Sequence, residues 1–260
     1  MNLENKKYLS FAHHLADTAS KILIKYYKSL EVEKSQKDSR LRKDLVTNVD
    51  IMVEDIVRKL ISSKFPKHNI LGEEKGFSNS GSDFTWIIDP IDGTKAFASG
   101  IPLFGFMIAL KHKENIILGL VDQPILKERY WNSHNKSFLN KKKINTSNVT
   151  HLSDATLTCT DPSMFENFND LNENLFKKFN FVRWGTDVMG YLRCAEGIVD
   201  AVIERDINLW DIAAVEPIIR MAGGIITTWD GGKIGSNDTV CASNNLTIHK
   251  TLLKKLQKFL

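Results

Sequence analysis

Residues 86–94, with the sequence WIIDPIDGT, place two carboxylates directly after a short apolar run that is typical of a buried strand. Asp89 and Asp92 are three residues apart. Two like charges buried at a strand end raise each other's pKa and destabilise the fold unless a cation neutralises them. Pro90 fixes φ and lacks an amide hydrogen, which favours a turn that directs both carboxylates to one point. Gly93 lets the backbone approach a ligand, and the amides that follow it can bind an anion. The segment therefore indicates a cation site beside an anion site.

Two further acidic residues follow apolar segments elsewhere in the chain. Glu73 comes after the pair Ile70-Leu71, and Asp211 follows Trp210 at the start of a predicted helix. Oxygen ligands without a thiolate or an imidazole favour Mg²⁺ or Mn²⁺ over Zn²⁺. Two such ions about 3.5–4 Å apart can clamp a phosphate, stabilise the leaving alkoxide and lower the pKa of water. The pattern predicts in-line hydrolysis of a phosphate monoester by water, a reaction that needs strong charge neutralisation.

Each acidic segment also has a purely structural interpretation. An isolated Asp-x-x-Asp is common in turns, Glu73-Glu74 can be a solvated pair, and Asp211 can be a helix cap. Two other phosphatase chemistries fit the sequence less well. The haloacid-dehalogenase type needs Asp-x-Asp, whereas the spacing here is Asp-x-x-Asp. The thiol-dependent type needs an arginine six residues after a cysteine, which none of the cysteines in this sequence has.

Hydrophobic periodicity predicts a chain that mixes helices with strands. We expect helices over residues 3–30, 50–65, 187–196, 211–221 and 248–260, and strands near 85–88, 101–110, 116–121 and 225–229. The pair Gly223-Gly224 is expected to end the fourth helix. Because no long linker interrupts the pattern, any internal boundary is short, and we place it near residues 140–150.

Composition favours an ordinary folded enzyme of the cytoplasm. The chain is 42% hydrophobic and 25% charged, and its formal net charge of +4 is spread along the sequence, so nothing favours nucleic acid as a partner. The longest apolar stretch, residues 101–110, contains Pro102 and Gly105 and is too short to span a bilayer, so we expect no membrane partner. The amino terminus lacks the apolar core of a secretory signal. The three cysteines lack metal-ligand spacing and are expected to be free thiols.

Four segments, in order, resemble the signature of the inositol monophosphatase superfamily. They are residues 45–50 (LVTNVD), 72–74 (GEE), 89–94 (DPIDGT) and 210–214 (WDIAA) followed by the glycine pair. The resemblance implies an α+β fold, the layered αβαβα sandwich of the inositol monophosphatase and fructose-1,6-bisphosphatase type. It also implies one compact unit, in which an N-terminal half, residues 1–145, carries the DPIDGT loop and a C-terminal half, residues 146–260, carries the WD helix. A homodimer is an assembly compatible with the family.

The resemblance also implies a role for each residue of these motifs. One Mg²⁺ would be held by Glu73, Asp89 and the Ile91 carbonyl, and a second by Asp89, Asp92 and Asp211. A third ion would share Glu73, and Mn²⁺ could substitute for Mg²⁺. The catalytic residues would be Glu73 together with Thr94 and Asp50, the last two orienting and deprotonating the attacking water. The amides of Gly93 and Thr94 would bind the phosphate. The structural alternative for Asp50 is a helix N-cap.

Segments outside these motifs resemble the histidinol-phosphatase branch of the superfamily. They are residues 99–105, 119–126, 152–157 and 187–191. Glu204, seven residues before Asp211, lies where the family places a carboxylate on the non-phosphate end of the substrate. A carboxylate there suits a cationic group, with Asp187 as its companion and Arg183 orienting the same wall. All three have surface ion pairs as their structural alternative.

We therefore expect a small phosphate monoester as substrate, in first place L-histidinol phosphate, hydrolysed to L-histidinol and phosphate in histidine biosynthesis. Gly185-Thr186 and Arg205 depart from the histidinol-phosphatase pattern, and the former resembles the inositol-phosphatase version. Inositol-1-monophosphatase and 3′(2′),5′-bisphosphate nucleotidase activities are the alternatives within the enzyme class. A non-catalytic metal- or phosphate-binding subunit is the alternative from another class. The basic residues 37–43 are interpreted either as a loop over the phosphate or as a solvated surface run.

Overall fold

Two β-sheets carry most of the strands in the computed structural model of the chain, which describes residues 3–38, 43–133, 135–235 and 237–260. Most of the loop expected at residues 37–43 therefore lies outside the described residues. The strands are β1 (Lys34–Asp38), β2 (Lys43–Thr47), β3 (Asn69–Gly72), β4 (Gly76–Ser78), β5 (Phe84–Asp92), β6 (Gly105–His112), β7 (Asn115–Gln123), β8 (Glu128–Ser133), β9 (Lys136–Leu139), β10 (Lys142–Ile144), β11 (Thr156–Cys159), β12 (Phe181–Trp184), β13 (Ala201–Arg205), β14 (Ile225–Thr227) and β15 (Thr239–Ser243).

The sheets differ in how their strands run. In the described residues the first sheet has the order β10-β9-β8-β7-β6-β5-β3-β4 and is antiparallel except where β3 pairs with β5. The second sheet has the order β12-β11-β13-β15-β14, with β11 parallel to both of its neighbours. A separate hairpin pairs β1 with β2. The segment between Ile144 and Thr156 joins the two sheets, and the division into two halves that we predict falls at its start.

Helices lie on both faces of each sheet. They are α1 (Leu3–Tyr26), α2 (Asn48–Lys64), α3 (Thr94–Ala98), α4 (Phe168–Asn174), α5 (Val188–Glu196), α6 (Leu209–Ala213), α7 (Val215–Ala222) and α8 (Leu246–Leu256). Helices α1 and α2 cover the outer face of the first sheet, α5, α6 and α7 lie between the sheets, and α4 and α8 cover the outer face of the second. The predicted α+β fold with αβαβα layers is thus confirmed.

Strand β6 shows how sequence periodicity builds these layers. Phe106, Ile108 and Leu110 pack toward α1 and α2, whereas Met107 and Ala109 pack toward the middle helices. Because successive side chains of a strand point to opposite faces, a strand covered on both sides must be apolar throughout. Each fully buried residue of this size stabilises the fold by about 1.5–3 kcal/mol.

The middle layer approaches the first sheet closely at Gly119 in β7. A Cβ atom at this position would lie 2.0 Å from the Ala214 carbonyl oxygen, so only glycine fits. Ala214 separates α6 from α7. The single helix expected at residues 211–221 is therefore wrong: two helices occupy the segment, and the first begins at Leu209. The second ends at Ala222, and Gly223 follows with a φ of 104°, as the glycine pair predicted.

The other predicted helices differ from the structure at their ends. Helix α1 stops at Tyr26 rather than residue 30, and Lys28 just after it has a left-handed φ of 62°. Helix α2 begins at Asn48, two residues earlier than expected. Helix α8 begins at Leu246, where the Asn245 side chain accepts the Thr247 and Ile248 amides, and ends at Leu256. None of the helices in the described ranges is long and apolar enough to cross a membrane.

Candidate metal and phosphate site

Strand β5 ends in a bulge that directs two carboxylates to one side. Asp89 pairs with Met107 and Asp92 with Gly105, so two residues on β5 face one on β6 between these pairs. Residues three apart in a regular strand point to opposite faces, and the extra residue brings them to the same side. Pro90 lies in this bulge, where its missing amide hydrogen costs no ladder bond. The Asp89 carboxylate closes the turn by accepting the Ile91 amide at 3.0 Å.

Asp211 reaches the same point from the first turn of α6. One of its oxygens, Oδ2, accepts the backbone amide of Asn208, the N-cap residue, at 2.7 Å. The cap interpretation of Asp211 is confirmed in part: the N-cap residue is Asn208, but Asp211 caps the same helix end as the N3 member of a capping box. Asp89, Asp92 and Asp211 each offer a carboxylate oxygen, and these atoms lie within 4.8 Å of one another. Such a cluster can surround a cation.

Glu73 comes from the neighbouring strand. Because β3 runs parallel to β5, with Gly72 opposite Ile88, the residue after β3 lies beside the start of the β5 bulge. The Glu73 amide donates to the Ile88 carbonyl oxygen at 3.2 Å, which fixes this alignment. Glu73 lines the same cavity as Asp89, Asp92 and Asp211.

The electrostatics of the cluster favour a bound cation. Burial raises the pKa of Asp89 well above its usual value, and the charges of Glu73, Asp92 and Asp211 raise it further. Burial likewise raises the pKa of Asp92, with Asp187 and Asp211 adding to the effect, whereas the Val188 amide, 2.6 Å from Asp92 Oδ1, opposes it. A divalent cation would remove this repulsion. The donors are all oxygens, which fits Mg²⁺ or Mn²⁺.

Gly93 connects β5 to α3 in a left-handed conformation. Its φ is 82°, and a Cβ atom here would lie 2.6 Å from the Leu103 carbonyl oxygen and 3.3 Å from the Asp187 Cβ. Both the backbone angle and the close contacts require glycine. Helix α3 begins at Thr94, and Gly93, Thr94 and Lys95 line the cavity. Binding of an anion by the amides of residues 93 and 94 stays a prediction.

The two carboxylate oxygens of Asp50 have different partners: one binds the residue that caps α2, and the other faces the site. Oδ2 accepts the Thr47 amide at 2.8 Å and the Thr47 hydroxyl at 2.5 Å, whereas Oδ1 faces the Thr94 hydroxyl at 3.3 Å. The N-cap of α2 is Thr47 rather than Asp50, so the N-cap alternative for Asp50 is wrong. Asp50 is fully buried, and burial raises its pKa to about 7, although the Thr47 bonds act in the opposite direction.

The far wall of the cavity is acidic. Glu204 on β13 is only 3% exposed; its Oε2 accepts the Tyr191 hydroxyl at 2.7 Å, and its Oε1 accepts the Thr160 hydroxyl. Asp187, just before α5, has a left-handed φ of 44°, which is rare for a residue with a side chain. Arg183 on β12 is exposed and lines the same cavity, whose volume is about 410 Å³.

Four residues of this wall were not singled out by the sequence. Tyr191 and Thr160 hold Glu204, and no local pattern links them to it because the contacts depend on sheet and helix packing. Asp161 and Asp206 also line the cavity. Both follow closely on strands, β11 and β13, that run parallel to each other, so the rule that parallel strand ends converge could have found them.

Comparison with known proteins shows which family this chain resembles. The model of the Inositol monophosphatase family matches residues 4–260. A bifunctional phosphatase of Arabidopsis thaliana chloroplasts, IMPL2, is 34% identical over 267 residues, covering 98% of this chain and 76% of that protein. The histidinol-phosphatase of Chlorobaculum parvum is 32% identical over 243 residues, covering 91% and 92% of the two chains. The crystal structure of the extragenic suppressor protein suhB from Bartonella henselae superposes with a TM-score of 0.89 at 27% identity, covering 98% and 100%.

Proposed function

Because this chain belongs to the inositol monophosphatase family, a family of Mg²⁺-using phosphatases, we propose that it hydrolyses L-histidinol phosphate to L-histidinol and phosphate. The cluster of Asp89, Asp92 and Asp211 with Glu73 beside it supports the metal-dependent reaction. The acidic far wall supports the substrate.

In this proposal the acidic cluster holds the ions. One ion would be held by Glu73, Asp89 and the Ile91 carbonyl. A second ion would be held by Asp89, Asp92 and Asp211. A third ion would share Glu73. The Ile91 carbonyl oxygen accepts the Thr94 hydroxyl at 3.0 Å and retains a second lone pair for this purpose. When bound, the ions neutralise charge on the phosphate and the departing alkoxide and acidify water.

Thr94 and Asp50 would move the proton of the attacking water. The Thr94 hydroxyl accepts a hydrogen bond from the water and donates its own proton toward Asp50 Oδ1, so the proton that the water loses ends on Asp50. The water oxygen bonds to phosphorus, the ester bond breaks, and the alkoxide takes a proton from solvent. The amides of Gly93 and Thr94 donate to the phosphate oxygens throughout. Asp50 suits the role because burial raises its pKa toward neutrality.

The charge of the far wall is the observation that favours histidinol phosphate. Asp161, Asp187, Glu204 and Asp206 line the cavity in addition to the cluster, whereas the cations among the lining residues are Lys95 and Arg183. Histidinol carries an ammonium and an imidazole group, whereas inositol is neutral and a nucleotide adds further negative charge. Desolvating the buried Glu204 carboxylate is compensated best by a cationic group. The histidinol-phosphatase relative supports the same choice.

The alternatives are inositol-1-phosphate, 3′-phosphoadenosine 5′-phosphate and a non-catalytic role in binding metal or phosphate. Gly185-Thr186 keeps the inositol alternative open because it resembles the inositol-phosphatase version. Residue roles, the homodimer and the cytoplasmic location remain predictions.

A substrate panel tests the proposal. We would measure kcat/KM with Mg²⁺ for the three phosphates, using Asp92→Asn as the control for contaminating phosphatase. We expect histidinol phosphate to give the highest value. A kcat/KM for inositol-1-phosphate about tenfold above it, equivalent to about 1.4 kcal/mol, would reverse the assignment. Absence of turnover with all three would favour the non-catalytic role.

A further inference from the structure

Helix α2 carries three charged residues on successive turns of one face. Asp50 reaches Thr94, Glu54 lies one turn later, and Arg58 one turn after that. Residues four apart lie on the same face of a helix, so these side chains form a line along α2. Glu54 is completely buried, and such a carboxylate is retained only where its charge and its hydrogen bonds are satisfied.

Both oxygens of Glu54 bind the turn that begins at Glu73. Oε2 accepts the Glu74 amide at 2.8 Å, and Oε1 accepts the Lys75 amide at 3.1 Å. Arg58 supplies the opposite charge through a 2.7 Å bond from Nε to Oε1. Its guanidinium also donates to the Gly76 carbonyl and, at 3.1 Å, to the Ser78 hydroxyl. Hydrogen bonds from Glu54 and Arg58 thus hold the whole turn against α2.

Glu73 is therefore held from two sides. Its own amide binds the Ile88 carbonyl oxygen at 3.2 Å, one residue before Asp89. The next two amides bind Glu54. These two anchors, one on β5 and one on α2, fix the backbone from which the Glu73 side chain extends, relative to Asp89.

The contact is close enough to constrain the residue before Glu73. A Cβ atom on Gly72 would lie 2.3 Å from Glu54 Oε1 and 2.5 Å from its Cδ. Gly72 has no unusual backbone angle, so the space taken by the Glu54 carboxylate excludes a side chain there. The turn and the carboxylate fit each other only with glycine at this position.

We propose that Glu54 is a positioning residue for metal binding: through the amides of Glu74 and Lys75 its carboxylate sets where Glu73 meets the cation. This inference rests on the proposed function, which makes Glu73 a metal ligand. It assigns Glu54 no contact with substrate or metal. Arg58 pairs with the buried Glu54 carboxylate and so offsets part of its desolvation cost.

The test is Glu54→Gln with Mn²⁺ as the probe. Glutamine has nearly the same shape, but its NH₂ group cannot accept one of the two turn amides, so the turn is held by one bond instead of two. We expect Mn²⁺ affinity, measured by calorimetry or electron paramagnetic resonance without substrate, to fall by about 10–100-fold. Raising Mn²⁺ should restore much of kcat, which mere loss of folded protein would not allow.

Asp55→Asn is the matched control. Asp55 adjoins Glu54 on α2 and contacts Lys75 of the same turn, but through the exposed side chain rather than the backbone. We expect wild-type Mn²⁺ affinity. A Glu54→Gln protein that is folded by circular dichroism and binds Mn²⁺ as tightly as the control would overturn the proposal.

Gly72→Ala approaches the same contact from the other side and serves if Glu54→Gln does not fold. The added methyl group displaces the Glu54 carboxylate, so Mn²⁺ affinity should fall. In a Glu54→Ala background the added methyl group meets only the end of the flexible Arg58 side chain, 2.9 Å away, which can shift, so Gly72→Ala should then cause little further loss. Fully additive losses would argue against the direct contact. Wild-type protein that binds Mn²⁺ but hydrolyses no phosphomonoester would contradict the proposed function while leaving the metal-binding comparison intact.

Discussion

The hydroxyl of Thr94 lies 3.3 Å from Asp50 Oδ1, although the two residues are 44 positions apart. The same hydroxyl also lies 3.0 Å from the Ile91 carbonyl oxygen. A hydroxyl has one proton, so it can donate fully to only one of these acceptors at a time. A cation held by the Ile91 carbonyl, as we propose, would make Asp50 the better acceptor, and the pair could then take up a proton from water.

Asp50→Asn should lower kcat by about 10²–10⁴-fold, the usual contribution of a general base. The pKa of Asp50 is raised to about 7 by burial, so its ionised, proton-accepting form increases as the pH rises through this region. Bound cations favour the ionised form and move the rise toward lower pH. A pH profile of kcat/KM should therefore show an ascending limb in the wild type and lose it in the variant. If the variant keeps the ascending limb of the wild type, Asp50 does not accept the proton.

Asp92→Asn should abolish most turnover while leaving the fold intact. The asparagine carbonyl can still accept the Val188 amide that Asp92 binds at 2.6 Å, so the start of α5 stays anchored. The variant removes one charge from a cluster in which burial, and then mutual repulsion, raises the pKa values of Asp89 and Asp92. In the presence of a chelator we expect its melting temperature to equal or exceed that of the wild type. With Mg²⁺ the order should reverse, because binding stabilises only the protein that binds. Substantial residual kcat would contradict the ligand assignment.

Glu204→Gln should lower kcat/KM for histidinol phosphate. The corresponding activation free energy should rise by about 1–3 kcal/mol, the range for a lost hydrogen bond to a charged group. Its oxygen can keep one of the two hydroxyl donors, Tyr191 or Thr160, so the wall should keep its shape. Inositol-1-phosphate turnover should change much less, because no cationic group of that substrate needs the charge. Glu216→Gln, which alters an ion pair with Arg220 on α7, is a suitable control. Equal losses for both substrates would show that Glu204 does not determine specificity.

His249→Gln should make the fold less sensitive to acid. His249 is 3% exposed, and its ring nitrogens lie 2.9 Å from the Ser243 and Thr227 hydroxyls. Burial lowers its pKa to about 4, with Arg220 adding to the effect. The unfolded chain gains a proton below about 6.5 and the folded chain only below about 4, so the wild type loses stability as pH falls through this window. We expect the difference in unfolding free energy between pH 7 and pH 5 to shrink by about 1–2 kcal/mol, measured by urea titration. An unchanged difference would show that His249 is not responsible.

The sequence predicted the meeting of the acidic residues because each lies at or just after the end of an apolar strand or in the first turn of a helix. The neighbouring parallel strands β3 and β5 bring Glu73 beside Asp89. The position of Asp50 could also have been anticipated, since Thr47 and Asp50 have the spacing of a capping box. That spacing places Asp50 inside the first turn rather than at the cap.

Contacts between distant segments could not be predicted in this way. Asp92 and Val188 are 96 positions apart, and their bond depends on how α5 packs between the sheets. The bonds from Tyr191 and Thr160 to Glu204 depend on the same packing. The division of the helix at Ala214 did have a local signal, because Pro217 lacks the amide hydrogen that would bond the Ala213 carbonyl four residues earlier.

The helices between the two sheets have a consequence for synthesis on the ribosome. The first sheet is complete once Ile144 has been made, yet the face that carries Met107 and Val121 is covered only by segments that begin at Val188. During translation this apolar face therefore stays exposed to solvent until the later helices have been made. Asp89 and Asp92 likewise lack Asp211 until then. We expect nascent chains arrested before residue 188 to bind chaperones and to bind divalent ions poorly. Full-length chains should not bind chaperones and should bind divalent ions well.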